Sequence, residues 1–194
     1  MLSFVAAACH RTAPTSAGRE ISLVFIASTP AQRAADVAAL PPCGPIAATP
    51  ADWPVVRLTA VAGTMRLPAP LAGVAEAVPS NAEQSWSDST LGRIVIQRDD
   101  DAGLSSGFML FLEPGPSTIH VDEGACAHPF DGRLSRVRRT FSTTASHPTD
   151  TIFIATTDVP LGGNLQLGAG VMASTRAGRE SLLSALASLR LQEP

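Results

Sequence analysis

Sixteen prolines and 15 glycines punctuate this chain of 194 residues. Proline fixes φ and removes a backbone donor, and glycine lets the backbone turn freely. The chain is therefore cut into many short elements joined by turns. Between the breaks lie apolar runs that read as strands at 55–58, 63–68, 92–98, 107–112, 132–141, 150–157 and 164–173. The run 92–98, Gly-Arg-Ile-Val-Ile-Gln-Arg, shows the pattern well, with alternation and β-branched residues. Apolar positions 134, 137 and 141 alternate imperfectly, which suggests a bulge or a twisted edge. Leu161-Gly162-Gly163-Asn164 reads as a hairpin turn and Asp99-Asp100-Asp101-Ala102-Gly103 as a polar turn. A short helix over 31–40 would be stopped by Pro41-Pro42. Residues 69–83 read as loop or weak helix. At the other end, 180–190 is helical, with Leu182, Leu186 and Leu189 on one stripe and Leu183 adjoining. Short turns between successive strands favour antiparallel pairing. The expected class is α+β: a central antiparallel sheet with helices packed on it and an amphipathic C-terminal helix. Residues 1–40 would form an export signal or tether region and 41–192 a single domain.

Three cysteines bear on the compartment. Cys9 closes the run Phe4-Val5-Ala6-Ala7-Ala8, and a cysteine after small apolar residues near a start methionine looks like a lipoprotein processing site. The run lacks a positive n-region and is short against the ~7–15 residues of an h-region; a start assigned too far downstream would account for both. His10 to Gly18 would then be a tether. In a second reading Arg11 and Arg19 precede an h-region at 21–27, with cleavage near Ala31–Ala34, although Glu20 opposes it. In a third, 19–27 is a buried strand and nothing is cleaved. Cys43 and Cys126, far apart in sequence, suit one disulfide in an oxidising compartment. Two free thiols, or a Cys9–Cys43 bridge, are the alternatives. The expected location is outside the cytoplasm, in the periplasm or anchored to the cell envelope through lipidated Cys9.

Composition excludes some partners. The net charge is -3, and all 14 basic residues are arginine. Phosphate backbones require a concentrated basic stripe, and the one short cluster, Arg133, Arg136, Arg138 and Arg139, lies in an expected strand. Nucleic acid is not an expected partner. No apolar run approaches the ~20 residues that span a bilayer.

Residues able to carry chemistry are few. His120, Asp122, Cys126 and His128, with Glu123 among them, crowd one stretch and could approach a cation. Their spacing lacks the tight paired repeat of metal sites, and the plainer reading is a solvated polar loop before a strand. The Asp99–Asp101 run lacks the alternation and closing glutamate of a calcium loop. No Gly-x-Ser-x-Gly elbow and no phosphate-binding glycine loop occur. Trp53 and Trp86 would line a cleft or, more simply, fill the core. No catalytic residue and no cofactor are expected.

Taken in order, Cys43-Gly44-Pro45 with Trp53, a strand pair ending in Leu67-Pro68, Trp86 before the strand reaching Ile96, Cys126 before the strand containing Val137, and the Leu182-to-Arg190 helix resemble exported bacterial proteins of the Mog1/PsbP-like fold. That fold has a central antiparallel sheet with helices on its faces. Its members include photosystem accessory proteins, a nuclear GTPase-binding protein and mycobacterial lipoproteins. No residue set here matches the GTPase-binding or photosystem surfaces. The resemblance implies fold and export and leaves the ligand open. The expected function is a non-enzymatic accessory or binding domain of the envelope whose partner is a protein or small ligand. An envelope metal-binding protein or hydrolase built on His120, Asp122, Cys126 and His128 is the alternative, and a cytoplasmic partner-binding domain a third.

Overall fold

The computed structural model describes residues 10–13, 21–24, 29–72, 83–99, 118–144 and 147–192. Cys9, the expected strand at 107–112, and Asp100 and Asp101 lie outside the described residues.

Six strands form the main sheet: β5 (Glu83–Asp88), β6 (Gly92–Asp99), β7 (Thr118–Phe130), β8 (Arg133–Thr144), β9 (His147–Gly162) and β10 (Leu165–Ala173). Their order is β5-β6-β10-β9-β8-β7 and every neighbouring pair is antiparallel. A second sheet packs β3 (Val55–Leu58), β4 (Gly63–Arg66) and β11 (Arg190–Leu191) in the order β11-β4-β3. Near the amino end β1 (His10–Ala13) pairs with β2 (Ile21–Val24), so strand occupies part of the segment expected as a tether. Helix α1 (Pro30–Ala38) starts at Thr29, whose hydroxyl accepts from Gln32 N at 3.1 Å, and ends just before Pro41-Pro42. Helix α2 (Ala69–Ala72) is one turn, and α3 (Arg176–Ala187) lies near the C-terminal end.

The core lies on one face of the main sheet. Cross-strand rows place Trp86, Ile94, Val171, Ala155 and Val137 on that face, all buried. Helix α3 covers it with Leu182, Leu183 and Leu186, and Leu189 follows just beyond the helix; each is 1% exposed or less. The leucine stripe read from the sequence is thus buried as expected. Burying each such side chain is worth about 1.5–3 kcal/mol. The helix begins four residues earlier than its apolar pattern suggests. Thr175 caps it, accepting from Gly178 N at 3.0 Å. Buried Gln84 ties the main sheet to the small one: its Oε1 accepts from Thr59 N at 2.8 Å and its Nε2 donates to Arg57 O at 3.2 Å.

The largest departure from expectation is β7. Residues 118–130 contain Asp122, Glu123, Gly124 and Pro129, all poor strand formers, and read as a polar loop. They form a long strand because β7 is the last in the sheet order. An outer strand tolerates proline, whose missing donor would face away from the sheet. Ala127, two residues before Pro129, does turn its N–H outward, to Pro41 O at 2.8 Å. Strands β7 and β8 join through Asp131-Gly132, a two-residue turn with Asp131 at φ 49. Leu134 departs too: it is 46% exposed, on the face opposite buried Val137.

Candidate functional site

The candidate site is built along β7, and a bulge organises it. Asp122 stands opposite Thr140 and Gly124 opposite Arg139, so Glu123 is the extra residue. Gly124 takes φ 109, a conformation that disfavours other residues. Its N–H donates to Asp122 Oδ1 at 2.9 Å and holds the kink.

An extra residue reverses which way the following side chains point. His120 and Asp122 fall on the face away from α3. There His120 Nδ1 meets Ser142 Oγ at 2.6 Å, and Arg138 donates to Asp122 at 2.7 Å. Past the bulge, Cys126 stands opposite buried Val137 and His128 opposite buried Ser135, on the core face. The four residues expected as a possible metal or hydrolase centre are therefore split between the two faces of a strand. Cys126 is also unavailable as a ligand, because its sulfur is bonded to Cys43. Among the described residues no three of His, Cys, Asp and Glu converge to hold a metal. The expected loop would have let these side chains converge; the strand and its bulge do not.

The Cys43–Cys126 disulfide joins positions 83 apart in sequence, with Cα atoms 4.8 Å apart. Two backbone bonds flank it: Ala127 N donates to Pro41 O at 2.8 Å and Cys43 N to Ala127 O at 2.9 Å. Residues 41–43 thus run parallel to β7 and cover its outer edge at Ala127. Covering an edge in this way blocks pairing with foreign strands.

Behind the disulfide lies a network of ions. Arg139 donates Nε and Nη2 to the two oxygens of Glu180, each at 3.0 Å, and its Nη1 to Cys126 Sγ at 3.3 Å. Glu180 also accepts from Arg179 at 2.9 Å. Arg179, whose side chain is 5% exposed, is gripped on its other side by Glu123, which pairs in turn with Arg176 at 2.6 Å. Arg176 lies over Phe153 and Phe141, 5.4 and 5.9 Å from their centroids. Burial pushes the Glu123 carboxyl up, but the Arg179 and Arg176 guanidiniums outweigh it and hold the group below its ordinary 4.5. Glu180 behaves likewise, with Arg139 the main counterweight to burial. His128 packs edge-on to Phe130 at 4.9 Å; burial, then the charge of Arg139, lowers it below 6.5.

In the sequence Arg139 stands out only as one of a basic cluster, and Arg176, Arg179 and Glu180 do not stand out as functional residues. Two signals mark them. Arg139 shares the parity of Val137 and so faces the core. Arg176 and Arg179, three apart on α3, share one helix face. Trp86 is buried in the core and Trp53 packs half-buried against it, so both act as packing residues.

No protein-family model matches this chain, and no curated protein matches it. Among solved structures, it is similar to the solution structure of cyanobacterial PsbP (CyanoP) from Synechocystis sp. PCC 6803. That likeness has 10% sequence identity and a TM-score of 0.48, and covers 77% of this chain and 97% of that one. Among the described residues no helix is long and apolar enough to cross a membrane.

Proposed function

We propose that this chain is an exported, non-catalytic accessory or binding domain of the cell envelope. The observation that carries the reading is the Cys43–Cys126 disulfide, which fastens the covering segment to the outer strand. Such bonds persist where thiols are oxidised and are rare where they are kept reduced. The charged side chains nearest to it support a non-catalytic role: Glu123, Glu180, Arg139 and Arg179 are engaged with one another and hold α3 on the sheet. Cys9 is the candidate lipid-bearing residue that would tether the domain to a membrane. The other cleavage positions, Ala31 and Ala34, fall inside α1, which favours processing at Cys9.

Fractionation of the source cells, followed by intact mass measurement, tests this. The expected result is protein in the envelope fraction, shortened to Cys9 and carrying acyl mass, with Cys43 and Cys126 oxidised. A full-length, unmodified chain in the cytoplasmic fraction with both thiols free would overturn it.

A further inference from the structure

We propose that the Cys43–Cys126 bridge is a thiol-exchange site of fixed polarity, in which Cys43 is the sulfur attacked and Cys126 the thiolate released onto Arg139. The surroundings of the two sulfurs differ. Cys43 sits in Pro41-Pro42-Cys43-Gly44-Pro45, whose other four residues are exposed, and there is open space around Gly44. Cys126 is on a strand, with the Arg139 guanidinium 3.3 Å from its sulfur. A neighbouring arginine stabilises a thiolate, and the thiol with the lower pKa is the better leaving group.

Arg139 is already paired with Glu180, but the cluster as a whole is short of negative charge. Among the described residues three guanidiniums, Arg139, Arg176 and Arg179, face two carboxylates, Glu123 and Glu180. One positive charge is left over, and the corner of Arg139 that Glu180 does not use, Nη1, is the one aimed at Cys126. His128, the remaining titratable group on that face of β7 among the described residues, has its protonation disfavoured by burial and by Arg139. A thiolate at Cys126 completes the charge balance.

The step balances with a dithiol as co-reactant. Its first thiolate attacks Cys43 Sγ; a new S–S bond forms there, the Cys43–Cys126 bond breaks, and the electron pair leaves on Cys126. The second thiolate of the reductant then attacks its own sulfur in the mixed disulfide. Cys43 is released as thiolate and takes up a proton from solvent, Cys126 remains a thiolate beside Arg139, and the reductant departs as a disulfide. Residues 41–43 then keep the two backbone bonds to Ala127 but lose their covalent link to β7. Reduction thus loosens the cover over an outer strand.

The test uses the full chain carrying Cys9→Ser, so that only the pair remains. Reduced glutathione is the probe, followed by acid quench and peptide mass spectrometry. The expected adduct is on Cys43 with Cys126 free. Adducts on Cys126, an even split, or no adduct at either would overturn the proposal. A second measurement follows iodoacetamide alkylation of Cys126 against pH in the Cys9→Ser, Cys43→Ser chain. Its thiol should titrate about one unit or more below the free value of ~8.5. Adding Arg139→Gln should slow alkylation near pH 7 by about tenfold, the effect of one pKa unit on the thiolate fraction; an unchanged rate contradicts the role of Arg139. Should that variant fail to fold, the glutathione partition in the chain with Arg139 intact decides alone.

Discussion

Glu123 has no partner on the neighbouring strand, and its carboxylate closes instead on Arg179 of α3. One irregularity in β7 thereby anchors the covering helix. The bulge aims a carboxylate at the first turns of α3, where negative charge also complements the helix dipole, and turns Cys126 toward Cys43. The ion network and the disulfide both depend on it.

Loss of that carboxylate should be felt. Glu123→Gln leaves Arg179, its side chain 5% exposed, with Glu180 as its remaining anion. Removing a charged partner from a buried group costs about 1–3 kcal/mol. Asp122→Asn removes a pair whose side chains are 50% and 56% exposed, and such pairs contribute less than about 1 kcal/mol. Urea unfolding midpoints should separate the two variants clearly; equal, small losses would show that Glu123 does not anchor α3.

Stability should fall with acid in two stages. Glu123 and Glu180 titrate below their ordinary 4.5 because their arginines outweigh burial. Asp122 is held below 3.8 by Arg138 and by the Gly124 N–H. A carboxyl depressed in the folded state adds stability that is complete above its unfolded pKa and lost as pH falls through the folded one. His128 has the same sign: below 6.5 the unfolded chain takes a proton that the folded chain resists. Thermal unfolding against pH should therefore show a shallow decline below 6.5 and a steeper one below 4.5. His128→Asn should abolish the first stage. A chain that gains stability on acidification from neutral pH would contradict this assignment.

Two glycines should respond in opposite ways. Gly92 opens β6 with φ 114, and a Cβ there would stand 2.0 Å from Met172 O. Gly92→Ala should cost about 2 kcal/mol or more, from strain and from displacing β10. Gly44 has nothing within 4 Å of an added Cβ, and Gly44→Ala should change stability by no more than about 1 kcal/mol, in the stabilising direction. Denaturant midpoints of both variants check this, and a mild Gly92→Ala would mean that β6 and β10 do not approach so closely.

What the sequence made legible follows from burial. Strands β6, β9 and β10 lie inside the sheet, and their apolar, β-branched runs record that burial. Strand β7 was hidden because an outer strand needs no such record: Asp122, Glu123, Gly124 and Pro129 are tolerated there and look like a loop. The start of α3 was hidden because Arg176 and Arg179 face the sheet through charge, which a search for leucines does not register. The two paired cysteines were legible as a pair; the arginine beside them was legible only through the parity it shares with Val137, which singles out Arg139 once that strand's covered face is known. The metal reading failed on the parity reversal at Glu123, a single-residue event with no signature except an Asp-Glu-Gly run.

Loss of the bridge should lower stability without abolishing the fold. Cys43→Ser with Cys126→Ser opens a loop of 83 positions, and the expected cost is about 2–4 kcal/mol. The leucine core and the two bonds at Ala127 remain. Circular dichroism should show the strand signal retained, with a lower unfolding midpoint; a chain already unfolded in buffer would mean that the core does not hold the fold by itself.

Peptide mapping of the native protein under non-reducing conditions bears most directly on the account. The cysteine peptides should appear as one linked pair, Cys43 with Cys126, and collapse to two peptides on reduction. Cys43 linked to Cys9, or both Cys43 and Cys126 recovered as free thiols, would contradict it.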